Sequence, residues 1–409
     1  MKKGFVSLFG ITLILVSIAA LTTTVNAAQL TVGTSGHYKT ITDAVNAAHA
    51  GDTIRVGPGT YAENVVITKP LTIIGSNGPT ATTTVTAADP SKDVFQLTGA
   101  GIRVGGLTAT GATGAACVHV NHATGCVVTG ISAFNNKWAV YLDGASTCEV
   151  SNSNLANNGY GVYCDGASHN TIFGNLAEGE KGAPPILGDG IYVFRGGENT
   201  VNRNNLSANH VFGISLYYSP GNTITNNSIL RNENIGTRLG YSNNNTLTFN
   251  TYSGNVNSGI VPVGASGNQI YLNNFVDQQN TIGAAQQQTL NSIKQMAYTY
   301  DGASHTSYMS NYYSDYKGSD RNGDGIGTTP SAYGDKYPLV RPFEDYGAIS
   351  VAGAATPTPH ARQPTTAGVQ ASATAGQSPT HVPGFEAGSA LAAMVAIAFV
   401  LTRLRARGR

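Results

Sequence analysis

Three consecutive stretches of 23 residues decide the fold: NTVNRNNLSANHVFGISLYYSPG (199–221), NTITNNSILRNENIGTRLGYSNN (222–244) and NTLTFNTYSGNVNSGIVPVGASG (245–267), with a fourth beginning at Asn268. Each unit holds short alternating apolar runs such as Gly213-Ile214-Ser215-Leu216. A repeat of this length with such runs predicts one coil of a β-solenoid per unit. Each coil then buries its apolar face against its neighbours.

The Asn that opens each unit has a physical role in such a coil. At a tight corner its side chain tolerates left-handed backbone, and stacked in register it forms an amide ladder. An Asn-rich disordered tract is the alternative, but Val, Ile and Leu alternate with the Asn throughout. The frame extends back to Asn170, Cys148 and Cys126, with a loop over 178–185 inside one longer step.

Composition favours an all-β protein. The chain has 409 residues, 50 of them Gly, with 11% charged residues and one Trp. Long charged residues that decorate helices are therefore scarce, while turn residues abound. A short helix is predicted where Thr40-Ile41-Thr42-Asp43 resembles a capping box, and it would cover the open edge of the first coil.

Both ends of the chain differ from the middle. Residues 1–27 have the basic, apolar and small-residue regions of a secretory signal. Residues 347–382, rich in Thr, Pro and Ala, predict a disordered stalk, and the apolar run at 387–402 before an arginine tail predicts a transmembrane segment. Without both ends the chain is net acidic, which argues against nucleic-acid binding.

Four cysteines allow disulfides outside the cytoplasm. Cys126 and Cys148 fall at equivalent places in successive coils, and Cys164 replaces an apolar residue of its column. Buried thiols that act as small hydrophobes are equally consistent with this placement, and the pairing stays open.

The middle of the chain resembles a known family. The opening 51–61, the Asn-Thr-Ile coils and the segment Asn311-Tyr312-Tyr313-Ser314-Asp315-Tyr316 are similar to the NosD-type right-handed parallel β-helix proteins, which carry pectate-lyase-like repeats. The resemblance implies a single-stranded right-handed parallel β-helix over 28–346, at 22–25 residues per coil, with a C-terminal cap over 300–346. The family's name comes from copper delivery, but fold similarity alone does not assign chemistry.

The C-terminus resembles a second pattern. Pro383-Gly384-Phe385, the apolar run and the arginine tail are similar to the archaeal PGF-CTERM sorting signal over 383–409. The resemblance implies that an archaeosortase-like enzyme cuts the tail and that a lipid anchor replaces it. We therefore expect an extracellular, cell-surface protein held at its C-terminus.

Alignment of the coils predicts which side chains face outward. Val118, Val140, Val162, Ile191, Ile214 and Ile260 form one inward column. The next positions then stack outward as His119, Tyr141, Tyr163 and Tyr192, with Asn121, Asp143, Asp165 and Phe194 in the second outward column.

This outward face generates the functional hypotheses. Tyr141, Tyr163 and Tyr192 would form a flat aromatic strip on which the sugar rings of a polysaccharide or envelope glycan can lie. In a catalytic version, Asp143 and Asp165 divide acid and base roles and His119 and Arg195 assist, as in a polysaccharide lyase, glycoside hydrolase or epimerase.

Two other interpretations remain open for the same face. Exposed Tyr is common on strands, and Asp143-Gly144 and Asp165-Gly166 are typical of turns, so a structural adhesin or envelope spacer is an alternative. A NosD-like copper-binding protein is another. Copper would need converging ligands, but strand alternation separates Cys117 and His119 from His122.

A calcium loop is predicted near the C-terminal cap. Asp320, Asn322, Asp324 and the Ile326 carbonyl follow the spacing of the first half of an EF-hand-like loop, with Gly325 at the sharp turn. The acidic residue expected at the twelfth position is replaced by Ser331, so Asp315 or Asp335 would complete the shell. Such an ion would order a cap rich in tyrosine.

Three N-glycosylation triplets begin at Asn205, Asn226 and Asn244. The secreted context permits their use, although an Asn-rich repeat also creates such triplets by chance.

Overall fold

A computed structural model of the chain describes residues 27–352 except 77, 79–81, 183–187, 278–281 and 283–286. The predicted signal, most of the stalk, the transmembrane segment and Pro383, Gly384 and Phe385 lie outside these residues. No helix in the described part of the chain is long and apolar enough to cross a membrane.

Short parallel strands stack into sheets along a β-solenoid, as the repeat predicts. The first sheet contains, in order, β1 (Gln29–Val32), β2 (Thr53–Val56), β5 (Thr72–Ile74), β8 (Arg103–Gly105), β11 (Val127–Thr129), β14 (Glu149–Ser151), β16 (Thr171–Phe173), β19 (Thr200–Asn202), β22 (Thr223–Thr225), β25 (Thr246–Thr248) and β28 (Gln269–Tyr271). The second sheet contains β4 (Val65–Ile67), β7 (Phe95–Leu97), β10 (Ala116–Asn121), β13 (Trp138–Asp143), β15 (Tyr160–Asp165), β18 (Ile191–Phe194), β21 (Phe212–Tyr217), β24 (Ile235–Gly240) and β27 (Ser258–Val263).

The third side of the solenoid is built in two parts. The first part contains β3 (Gly59–Ala62), β6 (Thr83–Thr86), β9 (Thr108–Thr110) and β12 (Ser132–Phe134). The second part contains β17 (Leu176–Glu178), β20 (Asn205–Ser207), β23 (Ser228–Leu230), β26 (Thr251–Ser253), β29 (Asn274–Val276) and β32 (Tyr312–Tyr313). Single bridges from Ser132 to Asn154 and from Asn154 to Leu176 connect them.

The inward columns form one continuous core. Val118 pairs with Val140, Val140 with Val162 and Val162 with Ile191, and all four side chains are buried. The register predicted from the sequence is therefore confirmed. Stacked strands lie roughly 4.8 Å apart, so each apolar side chain packs on its equivalent in the next coil.

Three buried amide ladders run through the corners of the solenoid. In the predicted one, the backbone and side-chain nitrogens of Asn222 both donate to Oδ1 of Asn245, at 2.7 and 3.2 Å. The same pair of hydrogen bonds recurs in two further ladders, which were not predicted separately from the sequence. One ladder contains Asn175, Asn204, Asn227, Asn250, Asn273 and Asn311. The other contains Asn136, Asn158, Asn209, Asn232 and Asn255.

The prediction that the ladder Asn itself takes left-handed backbone is wrong. The left-handed residue is the one before it: Glu198 has a φ of 58° ahead of Asn199, and Asn244 has a φ of 56° ahead of Asn245. The same order holds at the second corner, where Arg203 precedes Asn204. The left-handed residue turns the chain, and this turn directs the next side chain inward, where its amide must be paired.

Other side chains with acceptor atoms take the place of Asn at some rungs. Asp335 ends the second ladder, where its Oδ2 accepts from the backbone nitrogen of Asn311 at 3.1 Å and from the Tyr313 hydroxyl at 2.6 Å. Glu180 stands between Asn158 and Asn209 in the third ladder. Cys148 accepts from the backbone nitrogen of Cys126 through Sγ, and all four thiols are free and buried.

Each end of the solenoid carries its own cover. Helix α1 (Ile41–Ala47) begins after Thr40, whose side chain accepts from the Asp43 nitrogen, and buries Ile41, Ala44 and Val45. Glu63, which the sequence analysis missed, also caps it by accepting from the Ile41 and Thr42 nitrogens. At the other end lie antiparallel β30 (Met296–Tyr300), β31 (Ala303–Ser307) and β33 (Gly347–Val351) and a 3-10 helix, Phe343–Asp345.

The ladders predict that substitution of a ladder Asn destabilises the protein far more than substitution of an exposed Asn elsewhere in the coils. Asn227 is buried and donates to Val201 O, Thr225 O and Asn250 Oδ1, whereas Asn205 is exposed. We expect Asn227→Ala to lower the free energy of unfolding by about 2–5 kcal/mol, because it leaves several buried groups unpaired. Asn205→Ala should change it by less than about 0.5 kcal/mol. Urea denaturation of both full-length variants tests this, and equal losses would contradict it.

Candidate functional site

The outward face of the second sheet brings the predicted site residues into register. His119 pairs with Tyr141, Tyr141 with Tyr163 and Tyr163 with Tyr192. The neighbouring outward column pairs Asp143 with Asp165. All of these side chains are partly exposed. Strand alternation and the coil register are sufficient to explain this placement.

The aromatic side chains form a continuous array over successive coils, which we call the aromatic strip: His119, Trp138, Tyr141, Tyr160, Tyr163, Tyr192, Phe194, Tyr217, Tyr218 and Tyr241. Adjacent ring centroids lie 4.6–6.3 Å apart. The strip is not flat as predicted, since Tyr141 meets Tyr163 edge-on at 69° and Tyr163 meets Tyr192 at 48°. Edge-to-face pairs are favourable and fix the middle of the strip.

The most accessible rings lie at the C-terminal end of the strip. Tyr218 and Tyr241 are 50% and 48% exposed and stack at 5.1 Å with an interplanar angle of 13°. Both occupy left-handed corner positions, with φ of 53° and 49°. Neither position was predicted, because the outward columns end within the strand, one residue before this corner. They form the flat aromatic surface that the middle of the strip lacks.

At the N-terminal end, His119 lies between two carboxylates. Its Nδ1 is 2.8 Å from Asp93 Oδ2, its Nε2 is 3.8 Å from Asp143 Oδ2, and its ring stacks on Tyr141. Asp93 was not among the predicted residues, because it precedes the strand β7 and lies outside the columns. A carboxylate on Nδ1 orients the imidazole, so that Nε2 faces Asp143.

The four predicted catalytic residues form two pairs. His119 approaches Asp143, while Arg195 donates to Asp165 at 2.8 Å and lies 4.3 Å from the Phe194 ring centroid. The tyrosines around them are poor acids: burial, aided by the Asp165 charge, raises the pKa of Tyr163 to about 12. A neutral phenol donates a hydrogen bond at physiological pH, which suits recognition of sugar hydroxyls.

Unpaired polar atoms concentrate beneath the strip. Among the described residues, four buried side-chain atoms on this face have no hydrogen-bond partner: His119 Nε2, Trp138 Nε1, Asp189 Oδ2 and Ser215 Oγ. Buried polar groups are normally paired, so such a cluster is typical of a site with a function. Ser215 continues the outward column after Tyr192 and could have been found from the coil spacing, whereas Asp189 carries no sequence pattern that would have identified it.

The predicted calcium loop is internally hydrogen-bonded. Asp320 accepts from the nitrogens of Gly323 and Gly325 at 2.8 and 2.7 Å, and Asp324 accepts from the Ile326 nitrogen and from Asn322 Nδ2 at 2.8 Å. Asp335 is engaged in the second ladder. Asp315 in turn accepts from the Tyr333 hydroxyl at 2.9 Å, and calcium stays a prediction.

The glycosylation triplets differ in accessibility. Asn205 and Asn244 are exposed. Asn226 is half-buried, and its Nδ2 donates to Asn202 Oδ1 at 3.3 Å and Thr225 Oγ1 at 3.1 Å. Asn205 and Asn244 are thus the better acceptors by geometry, and modification stays a prediction.

Comparison with known proteins gives a family and a fold. The family model described as "Periplasmic copper-binding protein (NosD)" matches residues 98–318. No curated protein matches the chain in sequence. Among solved structures, an alginate lyase from Paenibacillus sp. str. FPU-7 is 18% identical with a TM-score of 0.50, covering 64% of this chain and 97% of its own.

Two further solved structures are similar in architecture. Pectate lyase Pel9A is 14% identical with a TM-score of 0.47, covering 64% of this chain and 78% of its own. The mannuronan C-5 epimerase A-module of Azotobacter vinelandii is 14% identical with a TM-score of 0.41, and the match covers 61% of this chain and 91% of that module. At these identities the similarity concerns the fold alone.

The residues of the described part of the chain do not fit a copper site. No group of three or more His, Cys, Asp or Glu side chains in residues 27–352, outside the gaps given above, is arranged to hold a metal ion. His119 Nδ1 is bonded to Asp93, His122 Nδ1 is bonded to Asn121, and Cys117 is fully buried. Copper prefers converging imidazole and sulfur ligands, which these positions do not supply.

The buried carboxyl of Asp189 should make the stability of the protein depend on pH. Burial raises the pKa of the Asp189 carboxyl to about 8. The hydrogen bond that it accepts from the Phe212 nitrogen and the positive charge of Arg238 lower this pKa, but burial outweighs them. In the unfolded chain the carboxyl loses its proton near its ordinary pKa, so stability falls as pH rises from about 4 to about 8. Asp189→Asn should make this fall shallower, and exposed Glu149→Gln should not. Unfolding midpoints from pH 4 to 9 measure it; an unchanged slope in Asp189→Asn would show that the native carboxyl is not held protonated.

Proposed function

The chain belongs to the periplasmic copper-binding protein (NosD) family, and within that family we propose that it is an extracellular polysaccharide-binding protein whose binding surface is the aromatic strip. The observation that carries this proposal is the continuity of the strip. Ring contacts run from His119 to Tyr241, along the same direction in which the coils stack.

A linear array of this kind matches an extended ligand rather than a compact one. Aromatic faces pack against the apolar faces of sugar rings, and hydroxyls around them orient the chain. The exposed pair Tyr218 and Tyr241 supplies the stacking surface, and the half-buried phenols and carboxylates toward Asp143 supply hydrogen-bonding groups. A polysaccharide would thus lie along the strip, with its stacking contacts at one end and its polar contacts at the other.

The proposal extends to the location of the protein. Residues 1–27 would direct export, and Pro383, Gly384 and Phe385 would mark processing for a lipid anchor by an archaeosortase-like enzyme. The stalk predicted over 347–382 begins later than expected, because Gly347–Val351 form β33, and the part after β33 would hold the β-helix away from the membrane. Mass spectrometry of the protein from its native membrane tests this: a mature chain beginning near Ala28 and lacking the arginine tail is the expected result.

Binding is tested on the exposed tyrosines. We expect the Tyr218→Asn/Tyr241→Asn double variant to lose about tenfold or more in affinity for the polysaccharide that the wild-type protein binds, because each stacked ring contributes about 1 kcal/mol or more. Asn is chosen since it tolerates left-handed backbone. Phe134→Ala, which removes a 43% exposed ring on the third side of the solenoid, is the control.

Full-length protein on a panel of neutral and acidic polysaccharides gives the measurement, with product analysis in parallel. Equal affinities of the double variant and the wild type would place binding elsewhere. Breakdown of a polysaccharide that His119→Gln abolishes would instead make the strip the active site of a polysaccharide-degrading enzyme.

Calcium binding at the cap has its own test. If Asp320, Asn322, Asp324 and the Ile326 carbonyl hold the ion, millimolar calcium should raise the unfolding temperature by mass action. Asp320→Asn should remove that increase. Asp301→Asn, which alters an exposed cap carboxylate paired with Arg341, should keep it. The same increase in all three proteins would argue against this loop as the site.

A further inference from the structure

Arg238 occupies a distinctive place on the strip. It follows Tyr192 and Ser215 in the outward column, since Tyr192 pairs with Ser215 and Ser215 with Arg238. Its guanidinium carbon lies 4.9 Å from the Tyr217 ring centroid and 5.6 Å from that of Phe212. The side chain is half-buried. The two rings therefore hold a cation against the sheet, within the surface proposed to bind polysaccharide.

This cation forms no ion pair with a carboxylate in the part of the chain that the structure describes. Arg195 is paired with Asp165 at 2.8 Å and Arg341 with Asp301 at 2.9 Å. Arg238, by contrast, has no carboxylate within ion-pair distance among the residues that the structure describes. Other lysines and arginines without a carboxylate partner are mostly exposed to water; half-buried Lys137, whose Nζ lies 4.0 Å from the Trp138 ring centroid, is an exception at the other end of the strip. A half-buried guanidinium has lost part of that water and gains more from an anionic partner.

Two buried polar side chains lie near Arg238, the Ser215 hydroxyl and the Asp189 carboxyl. Ser215 Oγ and Asp189 Oδ2 are buried and unpaired, and Asp189 Oδ1 accepts from the Phe212 nitrogen at 3.2 Å. Burial raises the pKa of Asp189 to about 8, which favours the neutral carboxyl, a form that can itself donate a hydrogen bond. Arg238 thus forms no ion pair with a described carboxylate, and the Asp189 carboxyl, which interacts with its charge, is held toward the neutral form by burial.

We propose that Arg238 is the subsite for an acidic group of the bound polysaccharide, a carboxylate or a sulfate ester, and that it makes the strip select acidic over neutral glycans. This inference rests on the proposed function, since it specifies the ligand of the same surface. The planar guanidinium donates two parallel hydrogen bonds to either acid group, which a sugar hydroxyl cannot match. The alternative is a structural role, in which the aliphatic part of Arg238 covers apolar surface and the guanidinium binds no ligand.

The experiment measures binding of full-length protein to three probes: an oligogalacturonate, its methyl ester and sulfated dextran. The ester keeps the size of the sugar and removes its charge. Arg238→Gln removes the cation, and Arg238→Lys keeps the charge without the planar donor pair. Arg203→Gln is the matched control, because its guanidinium carbon lies 5.9 Å from the Phe173 ring centroid, between β19 and β20 and away from the strip.

The wild type should bind an acidic probe about tenfold more tightly than the ester, the usual value of one charge-assisted bond. Arg238→Gln should remove that ratio, Arg238→Lys should keep part of it, and Arg203→Gln should keep all of it. A preference for sulfated dextran over oligogalacturonate that Arg238→Gln removes would support the same subsite with sulfate as its anion.

Three results would overturn the inference. If acid and ester bind equally and Arg238→Gln changes neither, the subsite does not exist while polysaccharide binding stands. If Arg238→Gln weakens acid and ester alike, Arg238 only supports the aromatic rings. If the wild type binds no probe and no neutral polysaccharide, the proposed function falls together with the inference.

Discussion

A side-chain amide inside a protein must find partners for all of its donor and acceptor groups, because the water that served them in the unfolded chain is gone. In this solenoid one arrangement satisfies that demand at many positions: each ladder Asn accepts two bonds from the coil before it and donates to the coil after it. The bonds exist only if every coil has the same corner in the same place. The ladders therefore fix the register of the coils, and apolar columns and strand pairing follow from that register.

The register of the coils also determines which side chains meet on the outward face. Because the corners hold successive strands in register, His119, Tyr141, Tyr163 and Tyr192 meet although they are distant in sequence. None of them needs a local motif to reach its neighbour. A surface built this way can change ligand by substitution at one outward position per coil, while the inward residues keep the fold. This separation explains how one family and one architecture can support different chemistry on the outside.

Much of the architecture was predictable because it repeats. The 23-residue period, the inward valines and isoleucines and the outward tyrosines all follow from alternation and spacing, and the structure confirms them. What could not be predicted depends on geometry at single places. Strand alternation does not fix the angles between rings, so the 69° between the Tyr141 and Tyr163 rings could not be predicted. The hydrogen bond between His119 and Asp93 could not be predicted either, because Asp93 precedes its strand and lies outside the columns. The two further ladders were overlooked since their Asn residues lie among many others.

The direction of the ladder bonds has a consequence for the ends of the molecule. Every bond between two ladder Asn residues runs from the earlier coil to the Oδ1 of the later one, so these bonds all point toward the C-terminus. The last rung receives hydrogens and has no later rung to which it could pass any. A residue that only accepts is sufficient there, and Asp335 occupies that rung in the second ladder, receiving from Asn311 and Tyr313. An amide in the place of Asp335 would bring a further N–H group that has to be paired outside the ladder, whereas the carboxylate closes the second ladder with no side-chain donor left over.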